Sequence, residues 1–262
     1  MERRHVAVVT GANRGLGRAV AKALAERGYR VVGTVRDPAT GAAMRDRFAA
    51  DGLSFDAVAV DVTAPDAGAR LAAAVPEGLD VLVNNAAVTF DGFDLGVVDR
   101  TLAANWYGAA AVVEALLPAL REGGRVVNVS SGMADEASLP AALRAHFHDA
   151  APERAGIDAL VSAFRDGVAA SGEPPEGWPR SAYRVSKLAL NAFTRHVARA
   201  VADDPRGLRV NAVCPGWCRT GMGGPAAPRS VAQGTASILW GTEVPVGGPS
   251  GGFFRDGRAA QW

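Results

Sequence analysis

Tyr183 and Lys187 stand four residues apart in a run, Ser181–Ala202, whose apolar spacing predicts a helix, so their side chains share one face. A phenol that titrates near ~10 is a poor acid–base group at neutral pH unless a cation stabilises its phenolate. A lysine one turn away is such a cation, and bringing the phenol to ~7 asks about 4 kcal/mol of it. The same spacing is also common on solvated helix faces. Lys187 nevertheless stands out, because only Lys22 and Lys187 among the 28 basic residues are lysines. A second group of residues lies in Thr10-Gly11-Ala12-Asn13-Arg14-Gly15-Leu16-Gly17. Glycines here let the backbone turn sharply and approach a ligand, and a helix N-terminus behind them offers free N–H groups to a pyrophosphate. Tight packing alone is the competing reading of that turn.

Positioning these groups falls to an alternating chain. Strands are predicted at His5–Thr10, Arg30–Arg36, Ser54–Val60, Leu79–Asn84, Gly124–Ser130, Leu208–Cys214 and near Gly251–Phe254. Between them come helices at Gly15–Gly28, Pro38–Ala50, Asp66–Val75, Val97–Leu120, Ser181–Ala202 and near Ser230–Leu239. This is the pattern of an α/β fold, a doubly wound parallel sheet covered on both faces, in a single domain over 1–262. Met133–Pro179 breaks the rhythm and is too long for a bare connection, so it must carry structure of its own. Ile157, Leu160, Val161, Phe164 and Val168 make one apolar helix face within it, and Pro140–His148 reads as a shorter helix.

The glycine turn and the Tyr-x-x-x-Lys pair, in this order on this frame, resemble the short-chain dehydrogenase/reductase family. The resemblance spans the whole chain and includes Asn84-Asn85-Ala86 after the fourth strand, Asn105 in the next helix, Ser131 at the end of the fifth strand, and Pro215-Gly216. Glu176-Gly-Trp-Pro-Arg-Ser-Ala-Tyr183, Cys214-Pro-Gly-Trp217-Cys-Arg-Thr-Gly-Met222 and the ending Gln261-Trp262 resemble its carbonyl-reductase branch, which carries an insertion before the catalytic Tyr. The segment 133–179 is the expected helical insertion. Ala87 and Gly221 depart from the pattern, standing where Gly and Asp are usual.

The resemblance implies an NADPH-dependent reduction of a ketone or aldehyde of a small, largely apolar molecule. Tyr183 would protonate the developing alkoxide, Ser131 would hydrogen-bond the same oxygen, Lys187 would lower the Tyr183 pKa and bind a ribose, and Asn105 would keep a relay water. The cofactor would lie on Gly11, Asn13, Arg14, Gly15, Leu16 and Gly17, with Ala86, Pro215 and Gly216 around it. Asp61 would meet the adenine, with Val62 beside it; a helix cap is the plainer role for Asp61. Asn84 is expected near the adenosine ribose, and Thr220 near the carboxamide unless it only forms a turn. NAD-preferring relatives end the second strand in an acid; here Val35 and Arg36 stand there, so Arg36 and Arg14 are expected to hold a 2′-phosphate. Asp37 is expected to point away from Arg36. Trp106, Met133, Trp178, Trp217 and Met222 are the expected substrate walls, with ordinary core packing as the competing role. Two rivals share the sequence: an NADP-dependent alcohol dehydrogenase running oxidatively, and a dinucleotide-sensing binding protein. The intact Ser131, Tyr183 and Lys187 argue against the sensor.

Composition bounds the partners. The 262 residues carry 28 Lys+Arg against 27 Asp+Glu, a formal charge of +1, which gives no electrostatic reason to expect nucleic acid or an acidic membrane. No apolar run approaches a membrane span, and the start leads straight into a strand, so a cytoplasmic protein is expected. Cys214 and Cys218 are too few for a disulfide framework, and His146 and His148 lack partners for a metal, so no metal is expected. The apolar face in 133–179 is placed to cover the helices through which the family usually pairs, so a monomer is expected.

Overall fold

The computed structural model describes residues 4–148 and 153–262, so residues 1–3 of the expected domain and 149–152 of the expected insertion lie outside the described residues. The strands are β1 (Val6–Val9), β2 (Arg30–Val35), β3 (Phe55–Ala59), β4 (Leu79–Asn84), β5 (Leu120–Val129), β6 (Arg209–Val213), β7 (Phe253–Arg255) and β8 (Arg258–Ala259). They form one sheet in the order β3-β2-β1-β4-β5-β6-β7-β8. Strands β1 to β7 pair in parallel, and β8 turns back antiparallel to β7. Parallel neighbours need crossovers, supplied by α1 (Gly15–Glu26), α2 (Pro38–Ala50), α3 (Ala67–Ala73), α4 (Leu95–Leu102), α5 (Ala109–Leu116), α6 (Ala141–His148), α7 (Arg154–Ser171), α8 (Ala182–Ala200) and α9 (Val231–Thr242). The chain runs from β1 outward through β2 and β3, then resumes on the other side at β4. That reversal opens a crevice at the carboxyl ends of β1 and β4, where open α/β sheets bind ligands.

Strand alternation sorts the core into two layers. Val6 and Val8 of β1 face the layer of α3, α5 and α8, where Leu71, Leu116 and Leu188 are buried. Ala7 and Val9 face the layer of α1 and α9, with Val20, Leu24 and Ile238. A chain of buried polar side chains runs through the first layer. Thr10 Oγ1 donates to Asn84 Oδ1 (3.4 Å), Asn84 Nδ2 donates to Asn128 Oδ1 (3.1 Å), and Asn128 Nδ2 donates to Thr194 Oγ1 (2.9 Å). It ties β1, β4, β5 and α8 together beneath the crevice.

The structure departs from the sequence reading in three places. The helix expected over Val97–Leu120 is interrupted: α4 and α5 flank a π-helical stretch, Ala103–Gly108, which contains Asn105. Leu117–Ala119 then tightens into a 3₁₀ turn around Pro118, and β5 begins at Leu120 rather than Gly124. The final strand gains a partner, β8, through an Asp256-Gly257 turn at φ 53° and 75°, a type that hairpins favour. Within 133–179, α6 and α7 form as the apolar spacing predicts. Ile157, Val161, Phe164 and Val168 of α7 are buried, while Leu160 is partly buried. Arg165 on α7 pairs with Asp99 on α4 (2.7 Å), and Arg154 pairs with Glu114 on α5 (2.7 Å).

Candidate active site

A cleft of about 1170 Å³ begins at the glycine turn and runs along the carboxyl ends of the strands. It exceeds the roughly 300–1,000 Å³ of common small-ligand sites, which leaves room for a dinucleotide and a second small molecule. At its first end Gly11 (φ 65°) and Gly15 (φ 55°) adopt backbone geometry that side chains disfavour. A Cβ on Gly17 would overlap the Gly11 carbonyl oxygen and crowd Asn85 Nδ2. The turn is held from behind: Gly11 N–H donates to Thr34 Oγ1 (2.7 Å), and Thr10 Oγ1 accepts from the backbone N–H of Asn85 and of Ala86 (2.9 Å each). At the head of α1, Arg14 is extended and its side chain makes no capping bond, so the first N–H groups of the helix are left for a ligand.

Two cations stand at this end. Arg14 and Arg36 both line the cleft and are exposed. Among the described residues, no hydrogen bond or ion pair engages either guanidinium. Asp37 does not compensate Arg36. Its carboxylate caps α2, accepting from Ala39 N (3.1 Å), Thr40 N (3.0 Å) and Thr40 Oγ1 (2.7 Å), and the Thr40 hydroxyl above all holds its pKa below the usual value. Asp61 lines the cleft with one oxygen engaged by Thr63 N and Oγ1, an Asx turn that leaves its second oxygen available. A dinucleotide fits this donor set: a backbone cradle at a helix N-terminus, an acid at the far side, and two uncompensated guanidiniums.

At the other end, Ser131, Tyr183, Lys187 and Cys214 line the same cleft. Burial pushes the Tyr183 phenol up, and its hydrogen bond with Ser131 pulls the other way. Lys187 is buried, its Nζ donating to the Val129 carbonyl (2.8 Å), and loss of water lowers its pKa to about 8. The ammonium lies 5.7 Å from the centre of the Tyr183 ring. In this arrangement the Lys187 ammonium is aimed at β5, and burial outweighs the Ser131 hydrogen bond at the phenol.

Asn105 lies in the π-helical stretch behind the cleft. It is fully buried, its Oδ1 accepts from Val88 N (2.8 Å), and its Nδ2 donates to Val88 O (2.9 Å) and Ser186 Oγ (3.2 Å). Ser186 Oγ in turn donates to Tyr183 O (2.7 Å). Asn105 thus clamps the loop after β4 to the first turn of α8, and its amide does not face the cleft.

Three further expectations are corrected. Asn84 does not reach the cleft: strand parity turns it toward α5, where it donates to Ala109 O (2.9 Å), and Asn85 lines the cleft instead. Trp106 is fully buried; its indole N–H donates to Asp158 on α7 (2.9 Å) and its ring meets Phe193 edge-on. Trp178 packs against Phe147 and Phe164, joining α6 to α7. Both tryptophans build the platform behind the site. Gly11, Asn13, Arg14, Gly15, Leu16, Gly17, Val62, Ala86, Pro215, Gly216 and Thr220 do border the cleft.

Met133, Trp217 and Met222 line the second end and are 53%, 58% and 45% exposed. Phe90, 39% exposed, joins them, although no motif in the sequence singled it out. Clustering of large apolar side chains in water at the mouth of one cleft marks a place for an apolar ligand. Arg255 lines this end too. Its placement depends on the β7–β8 hairpin, whose Asp256-Gly257 dipeptide was the available signal.

Comparison with known proteins gives a consistent picture. The short chain dehydrogenase family model matches residues 5–142, and the enoyl-(acyl carrier protein) reductase model matches residues 170–242. Carbonyl reductase (NADPH) 1 of Pongo abelii is 35% identical over 272 residues, covering 98% of each chain. Salutaridine reductase from Papaver somniferum superposes with a TM-score of 0.83 at 27% identity, covering 97% of this chain and 100% of that one. Menthone neomenthol reductase from Mentha piperita gives 0.80 at 25% identity, covering 96% and 98%.

Proposed function

The chain belongs to the short-chain dehydrogenase/reductase family, and on that premise we propose that it reduces the carbonyl of a small, largely apolar ketone or aldehyde with NADPH. The observation that carries this reading is that Ser131, the half-buried Tyr183 and the buried Lys187 line one end of a cleft whose other end is a dinucleotide cradle. The glycine turn, Arg14, Arg36 and Asp61 would hold NADPH, which would supply the hydride. The residues of this chain handle the oxygen and its proton.

A carbonyl oxygen placed between Ser131 and Tyr183 gains negative charge as its carbon is reduced. Ser131 donates a hydrogen bond to it, and Tyr183 gives up its phenolic proton. A proton donor must arrive protonated, and burial keeps Tyr183 so. Lys187 provides the nearby positive charge that makes the departing proton less costly. Asn105 acts through Val88 and Ser186, fixing the height of Tyr183 in the cleft.

The test follows consumption of NADPH by absorbance with a panel of neutral ketones, aldehydes and quinones. Turnover of at least one class by the wild type, with NADPH binding and no turnover by Tyr183→Phe, is the expected result. Tight NADPH binding without turnover of any class would instead favour a dinucleotide sensor.

A further inference from the structure

We propose that Arg255 is a specificity-determining residue that recognises a carboxylate on the substrate, so that short oxo acids are preferred substrates of this cleft. The inference rests on the reductase reading above and adds the substrate's charge to it.

Arg255 is the last residue of β7, at the carboxyl edge of the sheet where the cleft opens. The β7–β8 hairpin fixes its direction: Arg255 pairs with Arg258 across a two-residue turn whose Asp256 and Gly257 both have positive φ. That turn is anchored in turn, since Asp256 receives both terminal nitrogens of Arg229 (2.5 and 2.9 Å) and its backbone N–H donates to Ser237 Oγ (2.9 Å). The guanidinium of Arg255 is thereby brought over the loop that carries Ser131. Its Nη2 lies 3.1 Å from Cys214 Sγ, and a Cβ on Gly132 would come within 2.5 Å of the same nitrogen. Gly132 follows Ser131 directly, so the guanidinium borders the segment that carries the Ser131 hydroxyl, on the same cleft as Tyr183.

The carboxylate that acts on Arg255, Asp256, is committed to Arg229. Among the described residues, no carboxylate comes within ion-pair distance of Arg255. The other cleft arginines are engaged or distant in role. Arg229 is held by Asp256, Arg180 by Glu173, Arg100 stacks on Phe90, and Arg14 and Arg36 stand at the glycine turn. Arg255 is exposed at the rim of the cleft, which Met133 and Trp217 also line. A planar guanidinium binds a carboxylate in two parallel hydrogen bonds, a match that a point charge does not offer.

The experiment compares benzoylformate with its methyl ester as carbonyl substrates, in the wild type, Arg255→Met and Arg255→Lys. Arg255→Met should lower kcat/KM for the acid by roughly 10–100-fold, chiefly through KM, and leave the ester within about two-fold. Arg255→Lys should retain part of the acid's advantage, because the charge remains but the fork is lost. Equal losses on acid and ester, or an unchanged acid, would overturn the proposal. If the wild type reduces neither compound, the reductase reading fails on these probes. Calorimetric titration of benzoylformate into the NADPH-loaded protein then still decides: weaker binding in Arg255→Met supports the site, and equal binding removes it.

Discussion

Lys187 is the residue at which charge and catalysis meet. Burial brings its pKa from the ordinary 10.5 down to about 8, so it is an ammonium below that pH and a neutral amine above it. The reaction needs the ammonium, so kcat/KM for NADPH, which reports groups of the free enzyme, should fall as pH rises through about 8. Tyr183 is pushed upward and keeps its proton across the neutral range, so it should add no second fall there. A flat profile from pH 7 to roughly 9.5 would remove Lys187 as the titrating group. The cofactor arginines make a second prediction at this scale. Two unpaired guanidiniums on one phosphate, each contributing ~1.5–3 kcal/mol, should favour NADPH over NADH by at least ~100-fold in kcat/KM. Arg14→Ala/Arg36→Ala should erase most of that ratio while leaving NADH kinetics nearly unchanged; a double variant that keeps its preference would exonerate both residues.

Among the elements, α7 gives the clearest link from pattern to packing. Its 3.6-residue spacing was readable in the sequence, and Phe164 sits at its centre, fully buried between Phe93 and Trp178. Phe164→Ala should cost ~3–5 kcal/mol in denaturant unfolding, as expected for a large core ring with rigid neighbours on several sides. A loss below about 1 kcal/mol would mean that α7 is loosely attached. What the sequence hid is equally physical. Asn84 and Asn85 are chemically identical neighbours, and only strand parity, fixed by where β4 ends, decides which one faces the cleft. Trp106 was open to two roles, pocket wall or core, because an aromatic suits both. The π-helical stretch rotates the helix there, and the indole finds Asp158 on an element distant in sequence. Glycine turn, helix starts and strands were legible because local backbone preference sets them. Arg255 was not, since its neighbours Gly132 and Cys214 come together only through the sheet order.

For the whole molecule, α7 lies across α4, α5 and α8 with its apolar face inward and ion pairs to Asp99 and Glu114 at its margins. That leaves a small and polar outer face, with Ala155, Ala159, Ser162, Ala163 and Asp166 exposed. Association through those helices would have to displace α7, so light scattering at micromolar concentration should give the mass of one chain; a stable dimer would contradict this. The central claim, however, is chemical: the glycine turn, the Tyr183–Ser131 pair and the apolar mouth act together to move hydride to a carbonyl carbon and a proton to its oxygen. The most direct measurement uses NADPH deuterated at the transferring position of C4 with a ketone that the wild type accepts. Deuterium should appear on the carbinol carbon of the product, and Tyr183→Phe should slow its appearance by at least ~100-fold while still binding NADPH. Product without the label, or labelled product formed by Tyr183→Phe at the wild-type rate, would contradict the account.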